Sequence, residues 1–358
     1  MKKIIIITKS IGIDGPSRGA VTIANAISNY SEVTLISLSN EIDCVEELNK
    51  NINFIIYEGL FSRIKLFFDV NYGKLSNSNN YKLIISMTFL ADLFSIFLIQ
   101  SKQKIISIRG DLFKNYEDTY GKIGLYFARM HYLIASKSNI IVCLSETMQK
   151  QIKDIMPKAK TEIVENFIDE IKYKHKFQNK GKKNINRFIF IGALTNRKNI
   201  YELVKIFKKL IFERETIFLD IVGDGPIKKR ILNFINKNRL DKNIRLIGTV
   251  KDPETYLLNC DVFILPSFSE GISRAILESL YFRKPVIAKN IPQNKEVIKN
   301  DENGWLFDNY EELYLILKKV ISMNPKKDIF NSDITLIPSR FQHKNVKTKW
   351  LKLLGISE

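Results

Sequence analysis

Short apolar runs recur along this chain, separated by polar or amphipathic stretches. In the first half the runs predict strands at Ile4–Thr8, Val33–Ser37, Phe54–Tyr57, Leu83–Met87, Ile105–Ile108 and Ile140–Leu144. Helical stretches separate most of them. Strands that alternate with helices point to a parallel sheet covered on both faces. The pattern lapses between Asp169 and Asn186, where Lys172, Lys174, Lys176, Lys180, Lys182 and Lys183 leave little apolar content. That stretch reads as a solvated linker. Alternation then resumes, with strands expected at Phe188–Gly192, Phe218–Val222, Arg245–Ile247, Val262–Leu265, Val286–Ala288 and Trp305–Phe307. Amphipathic helices are expected at Ile200–Arg214 and Ile227–Asn238. The expected organisation is an N-terminal α/β domain over 1–168, a lysine-rich linker over 169–186, a second α/β domain over 187–330, and a tail over 331–358. In open α/β sheets ligands bind beyond the carboxyl ends of the strands. Two such halves facing each other would put an active site in the cleft between them.

The tail carries Phe341, Val346, Trp350, Leu351, Leu353 and Leu354 on one helical stripe, which should pack back on the body. Two stretches imitate membrane or export signals. The apolar run in MKKIIIITKS is too short and has no cleavage pattern, so a first buried strand is expected. Leu83–Gln100 approaches spanning length, but Asp92 interrupts it, and a strand followed by a buried helix is expected. No transmembrane span is expected, and the chain is placed in the cytoplasm.

Composition narrows the class. A chain of 358 residues, 45% hydrophobic and 26% charged, is globular and long enough for two domains. The net charge is +18, which favours anionic partners: nucleic acid, anionic lipid or anionic substrates. No helix-turn-helix, zinc-finger or aromatic-basic signature supports nucleic acid. That leaves an anionic membrane surface, such as the inner face of the cytoplasmic membrane, or a charge inflated by Lys-, Asn- and Ile-rich coding. Gly59–Lys74 interleaves Phe61, Ile64, Leu66, Phe67 and Phe68 with Arg63 and Lys65. As a helix it would align Phe61, Ile64, Phe67 and Phe68, either against a membrane or against the sheet. Cys44, Cys143 and Cys260 are far apart and show no disulfide or zinc spacing. His131, His175 and His343 show no pairing either, and no D-x-D run follows a strand, so no metal is expected.

Candidate chemistry concentrates in Leu265–Leu280, LPSFSEGISRAILESL. A buried strand leads into a polar loop and then a helix. Glu270 lies in the loop, and Glu278 lies about two turns further on. The amides of Gly271, Ile272 and Ser273 at a helix N-terminus would suit a phosphate or hydroxyl. The competing account is a capping glutamate and an exposed helical one. After the first strand, Gly12, Gly15 and Gly19 either let the backbone approach a phosphate or acceptor, or form a flexible turn. After KIISI come Arg109, Gly110 and Asp111. Arg109 would bind a phosphate of donor or acceptor, and Asp111 would orient a sugar hydroxyl; ordinary turn chemistry is the alternative.

Leu265–Leu280 closely resembles the E-x7-E signature of retaining glycosyltransferases of family 4, which have the GT-B fold of two facing Rossmann-like domains with a central cleft. Further segments resemble the family in the same order: VENFID at Val164–Asp169, FIGALTNRKN at Phe190–Asn199, IVGDGP at Ile221–Pro226, LIGTV at Leu246–Val250, CDVFILPS at Cys260–Ser267 and NGWLF at Asn303–Phe307. The resemblance implies that Glu278 accepts the donor ribose hydroxyls and that Glu270 holds the transferred sugar with the amides of Gly271–Ser273. It implies that Lys198 neutralises the diphosphate, that Gly192 and Gly223 line the donor turns, and that Val250 lies at the nucleotide base. The family usually has an arginine directly after the strand glycine. Here Ala193 follows Gly192, and Arg197 is the candidate replacement. Many relatives also have a histidine where this chain has Arg109. The implied activity is metal-independent transfer of a hexose or N-acetylhexosamine from a nucleotide diphosphate sugar, with a UDP-sugar as the expected donor, to a glycan or lipid-linked glycan in bacterial capsule or O-antigen synthesis. The nucleotide sugar is a co-substrate, and no cofactor is expected. The alternatives are a catalytically inactive sugar-nucleotide or membrane-binding protein and a sugar-nucleotide epimerase.

Overall fold

The computed structural model describes residues 1–12, 14–71, 81–168, 170–173, 184–324 and 336–357. They form two units, Met1–Phe167 with Arg340–Glu358, and Ile168–Ser339.

The first unit carries strands β1 (Lys2–Thr8), β2 (Ser31–Ser37), β3 (Asn53–Ile56), β4 (Tyr81–Met87), β5 (Gln103–Ser107), β6 (Ile140–Cys143) and β7 (Thr161–Ile163). Their order is β3-β2-β1-β4-β5-β6-β7, and neighbouring strands pair in parallel. The helices are α1 (Gly15–Ile27), α2 (Gly59–Asn71), α3 (Phe89–Phe97), α4 (Leu112–Tyr120), α5 (Gly124–Ala135) and α6 (Glu146–Ile155). Side chains alternate across a strand, so β1 feeds two cores. Ile4 and Ile6 join α1 on one face, whereas Ile5 and Ile7 join α2 and α3 on the other.

The second unit begins with the short α7 (Glu170–Tyr173) and continues with β8 (Arg187–Ile191), α8 (Ile200–Glu213), β9 (Phe218–Val222), α9 (Lys228–Lys237) and β10 (Ile244–Gly248). Then come α10 (Glu254–Asn259), β11 (Val262–Leu265), α11 (Arg274–Tyr281), β12 (Val286–Lys289), α12 (Pro292–Lys295), β13 (Gly304–Phe307) and α13 (Tyr310–Ser322). This sheet is also parallel, in the order β10-β9-β8-β11-β12-β13.

Three expectations need revision in detail. Four residues of the segment read as a solvated linker form α7, whose Tyr173 is buried against Tyr281 and Phe282. Asp169 and 174–183 lie outside the described residues. The tail divides: the Leu336 amide bonds the Leu280 carbonyl at 3.3 Å within the second unit, whereas the residues from Arg340 onward belong to the first. There α14 (His343–Leu353) inserts Val346, Trp350 and Leu351 into the core formed with Ile4, Ile23 and Val33. In α2 it is Leu66 and Val70 that meet the sheet, while Phe61, Ile64 and Phe68 remain exposed. The apolar Leu83–Gln100 run resolves into β4 and α3, and Asp92 is buried against His131 Nε2 at 2.7 Å. No helix among the described residues is long and apolar enough to cross a membrane.

The position of Trp350 yields a stability prediction. It is 1% exposed and shares its core with the central strand β1. Trp350→Ala should cost about 3–5 kcal/mol, read as a lower urea midpoint for the first unit. A midpoint unchanged from wild type would show that α14 is not part of that unit's folding core.

Candidate active site

In the second unit the chain starts at β8, builds outward through β9 and β10, and returns to the other side of β8 at β11. The strand order therefore reverses between the adjacent strands β8 and β11, and the crevice outside the carboxyl ends at such a switch point is the usual ligand position in these sheets. The loop after β8 runs from Gly192 to Asn199, and the loop after β11 runs from Pro266 to Ser273.

These two loops are tied together. The Phe268 amide donates to the Arg197 carbonyl at 3.0 Å, and Arg197 Nη1 donates to the Ser269 carbonyl. Lys198 Nζ lies 2.5 Å from Glu270 Oε1, and Arg197 Nη1 lies 3.6 Å from the same oxygen. The turn Asn196–Lys198 is a single 3₁₀ turn ended by Asn199 at φ 56°, a left-handed conformation that asparagine tolerates. That geometry projects both cations toward Glu270. Glu270 is buried. Burial pushes its pKa up, but the charges of Lys198 and Arg197 outweigh that and hold it below the ordinary carboxylate range. A buried carboxylate in a crevice between two cations is a recognised kind of functional arrangement.

Glu278 is also buried, on α11, with Arg274 Nη2 3.8 Å from its Oε1. Arg274 was not singled out from sequence, although its spacing of four residues from Glu278 on a helix was a signal that could have found it. Gly271, Ile272 and Ser273 precede the helix, which begins at Arg274. Ser273 is its N-cap and accepts from the Ile276 amide at 3.5 Å, so Gly271 and Ile272 lie just before the helix. The glycine turns pack backbone on backbone: at Gly223, with φ 137°, a Cβ would sit 2.0 Å from the Gly192 carbonyl oxygen. Only glycine satisfies both the dihedral and the contact. The Gly223 amide in turn bonds the Gly248 carbonyl at 2.8 Å, which fixes the end of β10 and half-buried Val250 beyond it.

The remaining candidates belong to the first unit. Its strand order turns between β1 and β4, and Gly12 and Gly15 follow β1. Gly12 offers its carbonyl to Cys44 Sγ at 3.4 Å. Gly15 opens α1, capped by Asp14, whose carboxylate accepts from the Ser17 amide at 3.0 Å and the Ser17 hydroxyl at 2.6 Å. Asp14 was missed, and its place just before a Gly-Pro helix start was the available signal. The Arg109 guanidinium lies across Gly19, where a Cβ would come within 2.3 Å of Nη2, and it donates to Asn166 Oδ1. Gly19 therefore makes room for Arg109. Asp111 caps α4 by accepting from the Lys114 amide at 3.2 Å, so the turn role is the one on display.

Residues 171–334 match the family model for glycosyl transferases group 1. An uncharacterized glycosyltransferase of Methanocaldococcus jannaschii is 31% identical over 205 residues, covering 54% of this chain and 50% of the relative. The Staphylococcus aureus capsular polysaccharide biosynthesis glycosyltransferase CapH is 32% identical, covering 49% of each chain. The matches thus span about half the length of these relatives. An alpha-1,4-N-acetyl-D-galactosaminyltransferase of Campylobacter jejuni, named for a diNAcBac-PP-undecaprenol glycan, is 24% identical over 99% of both chains. Among solved structures, Anabaena HepE with UDP and glucose superposes at TM-score 0.78 and 16% identity, covering 99% of this chain and 100% of that one. A Staphylococcus aureus TarM variant superposes at 0.77 and 13%, covering 99% of each. These likenesses show the fold, which is GT-B.

The electrostatics of Glu270 give a pH prediction. A carboxylate depressed in the folded state stabilises it fully above its unfolded pKa of about 4.3 and loses that contribution as pH falls through the folded value. The difference in thermal midpoint between wild type and Glu270→Gln should therefore stay constant between about pH 5 and 8 and shrink below about pH 4. A difference that already shrinks as pH falls from about 7 to 5 would contradict the direction assigned to Glu270.

Proposed function

We propose that this protein is a retaining glycosyltransferase of family 4. It moves a hexose or N-acetylhexosamine from a nucleotide diphosphate sugar, a UDP-sugar being the favoured donor, to an acceptor hydroxyl in bacterial surface polysaccharide synthesis. The observation that carries this reading is the pairing of Lys198 and Arg197 with buried Glu270 at the β8/β11 crevice. Glu278, on the helix that follows, supplies a second buried carboxylate in the same unit. The group 1 match over this unit and the capsular polysaccharide relative CapH support a sugar-transfer role.

In this reading Glu278 accepts the ribose hydroxyls, as an ionised carboxylate can. Glu270 holds hydroxyls of the transferred sugar, aided by the amides of Gly271–Ser273. Gly192 and Gly223 keep the donor turns close, and Val250 lies at the base. As the bond to the anomeric carbon breaks, charge grows on the diphosphate. Lys198, Arg197 and the N-terminus of α11 meet that charge without a metal ion. The leaving phosphate oxygen takes the acceptor proton on the same face, which retains the anomeric configuration. Arg109, with Gly12, Gly15 and Asp111, forms the acceptor or phosphate side. The acceptor is a glycan or lipid-linked glycan, as the name of the Campylobacter relative suggests. The net charge of +18 favours a peripheral position on the anionic inner face of the cytoplasmic membrane.

Kinetics with a panel of nucleotide sugars and lipid-linked acceptors tests the reading. Lys198→Ala should lower kcat by about 100-fold or more, the size of loss seen when one transition-state stabiliser is removed, with donor KM much less affected. Wild-type transfer should continue in excess EDTA. A raised KM with unaltered kcat would make Lys198 a ground-state contact. Loss of activity in EDTA with recovery in magnesium or manganese would overturn the metal-free mechanism. No product from any donor would favour an inactive sugar-nucleotide binder.

A further inference from the structure

More of the exposed large apolar side chains lie on the segment from α2 to α5 than on all other described elements together. On α5 the outward stripe is Tyr126, Phe127, Met130 and Leu133, with Tyr126 70% and Leu133 68% exposed. Ile123 extends it at the N-terminal end, 64% exposed. Phe97 at the end of α3 lies beside it, with Lys137 Nζ 4.9 Å from its ring centre. On α2, Phe61, Ile64 and Phe68 form a second outward stripe, and Phe61 is 87% exposed.

These helices share one side of the sheet. Leu66 and Val70 of α2 pack in the same core as Ala91 and Phe94 of α3. The inner side of α5 joins that layer through His131, which bonds Asp92 of α3 at 2.7 Å and the Tyr116 hydroxyl of α4 at 3.1 Å. A buried polar anchor of this kind fixes which face of α5 points outward. The sheet's other face is covered by α1 and α14, which contribute no large exposed apolar residue.

From Gly121 to Lys137, along α5 and its flanks, every Lys, Arg, Asp or Glu is a cation. Lys122, Arg129 and Lys137 are exposed along and beside α5, and Lys65 is exposed on α2. Gly124–Ala135 contains no acidic residue. The acidic groups lie on the neighbouring elements: Glu58 just before α2, Asp69 on α2, bonded to the Tyr57 hydroxyl at 2.9 Å, and Asp111, Glu117 and Asp118 at α4. Contiguous exposed apolar surface on a folded domain marks an interaction site. Apolar side chains interleaved with cations match a bilayer with anionic headgroups. A two-fold contact between copies would instead set this patch against itself and juxtapose like charges, which is unfavourable.

We propose that the outer face of α5, with Phe97 of α3 and the exposed stripe of α2, is the surface by which this protein docks on an anionic phospholipid bilayer. The inference deepens the membrane reading above by assigning it to one face. It also makes α5, which the sequence did not single out, the principal element.

Vesicle cosedimentation of the full chain tests it, with no donor or acceptor present. The vesicles are phosphatidylcholine alone and phosphatidylcholine with phosphatidylglycerol. Wild type should bind the anionic vesicles, and binding should weaken as salt rises. Lys122→Gln/Arg129→Gln/Lys137→Gln and, separately, Ile123→Ser/Tyr126→Ser/Leu133→Ser should each lower the partition coefficient by at least about tenfold. A control that removes as many charges elsewhere, Lys158→Gln/Lys344→Gln/Lys352→Gln, should change it by no more than about twofold on the same expectation. All of these residues are exposed, and unchanged thermal midpoints confirm that the variants fold. If wild type binds but the control falls as far as the α5 variants, the assignment to this face is wrong while general membrane attraction stands. If wild type binds no anionic vesicle, both fail. If sedimentation velocity shows a dimer that Ile123→Ser/Tyr126→Ser/Leu133→Ser abolishes, the face is an interface between copies.

Discussion

The second unit depends on a carboxylate that is buried where burial alone would be unfavourable. Glu270 stands at the carboxyl edge of a parallel sheet with little water to solvate it. Its ionised form persists because Lys198 and Arg197 face it. Removing one member of a buried pair leaves the other charge uncompensated, so the turn after β8 and the loop after β11 hold each other in place. The backbone bond between Phe268 and Arg197 locks the same two segments. Their adjacency follows from strand order, because the chain reverses its direction of growth between the paired strands β8 and β11. Topology makes the crevice, and the ion pair gives it a fixed lining.

The strands were legible because each is a short apolar run. Phe218–Val222 and Val262–Leu265 have the bounds read from sequence, and most others differ by a residue or two. β7 was missed because Thr161–Ile163 has three residues and only one apolar side chain, and it lies at the sheet edge where burial asks little of it. The tail's apolar stripe was legible as a helix. Its destination was not, since Trp350 shares a core with Ile4 and Ile23 more than 300 positions away and no local period encodes such packing.

The site was legible where resemblance supplied an ordered set of turns. Lys198 and Glu270 are 72 residues apart in sequence, and the structure brings them into contact. What the sequence hid was the division of labour around them. Asp14 and Ser273 act as helix caps. Asp111 also caps a helix, whereas Arg109 occupies space that Gly19 leaves open. Each of these depends on which partner lies within hydrogen-bond range, and composition carries no such information. The exposed stripe on α5 was hidden for a related reason. Gly124–Ala135 is apolar nearly all round, and only its packing against α3 and α4 separates the inward Ala128, His131 and Tyr132 from the outward Tyr126, Met130 and Leu133.

The resemblance to family 4 implies an arginine at the strand end, where this chain has Ala193. Ala193 is exposed and brings no charge to the crevice. Arg197 comes from the following turn, and its guanidinium is held by the Ser269 carbonyl and by Glu270 at 3.6 Å. A guanidinium forks to several acceptors at once, so one side chain can pin the β11 loop and add positive charge beside Lys198. An arginine at 193 would have to reach the crevice from the strand end without that support. Moving the charge into the turn couples it to loop position. The electrostatic field in the crevice then depends on the β11 loop being in place, because the same atom that supplies the charge holds the loop.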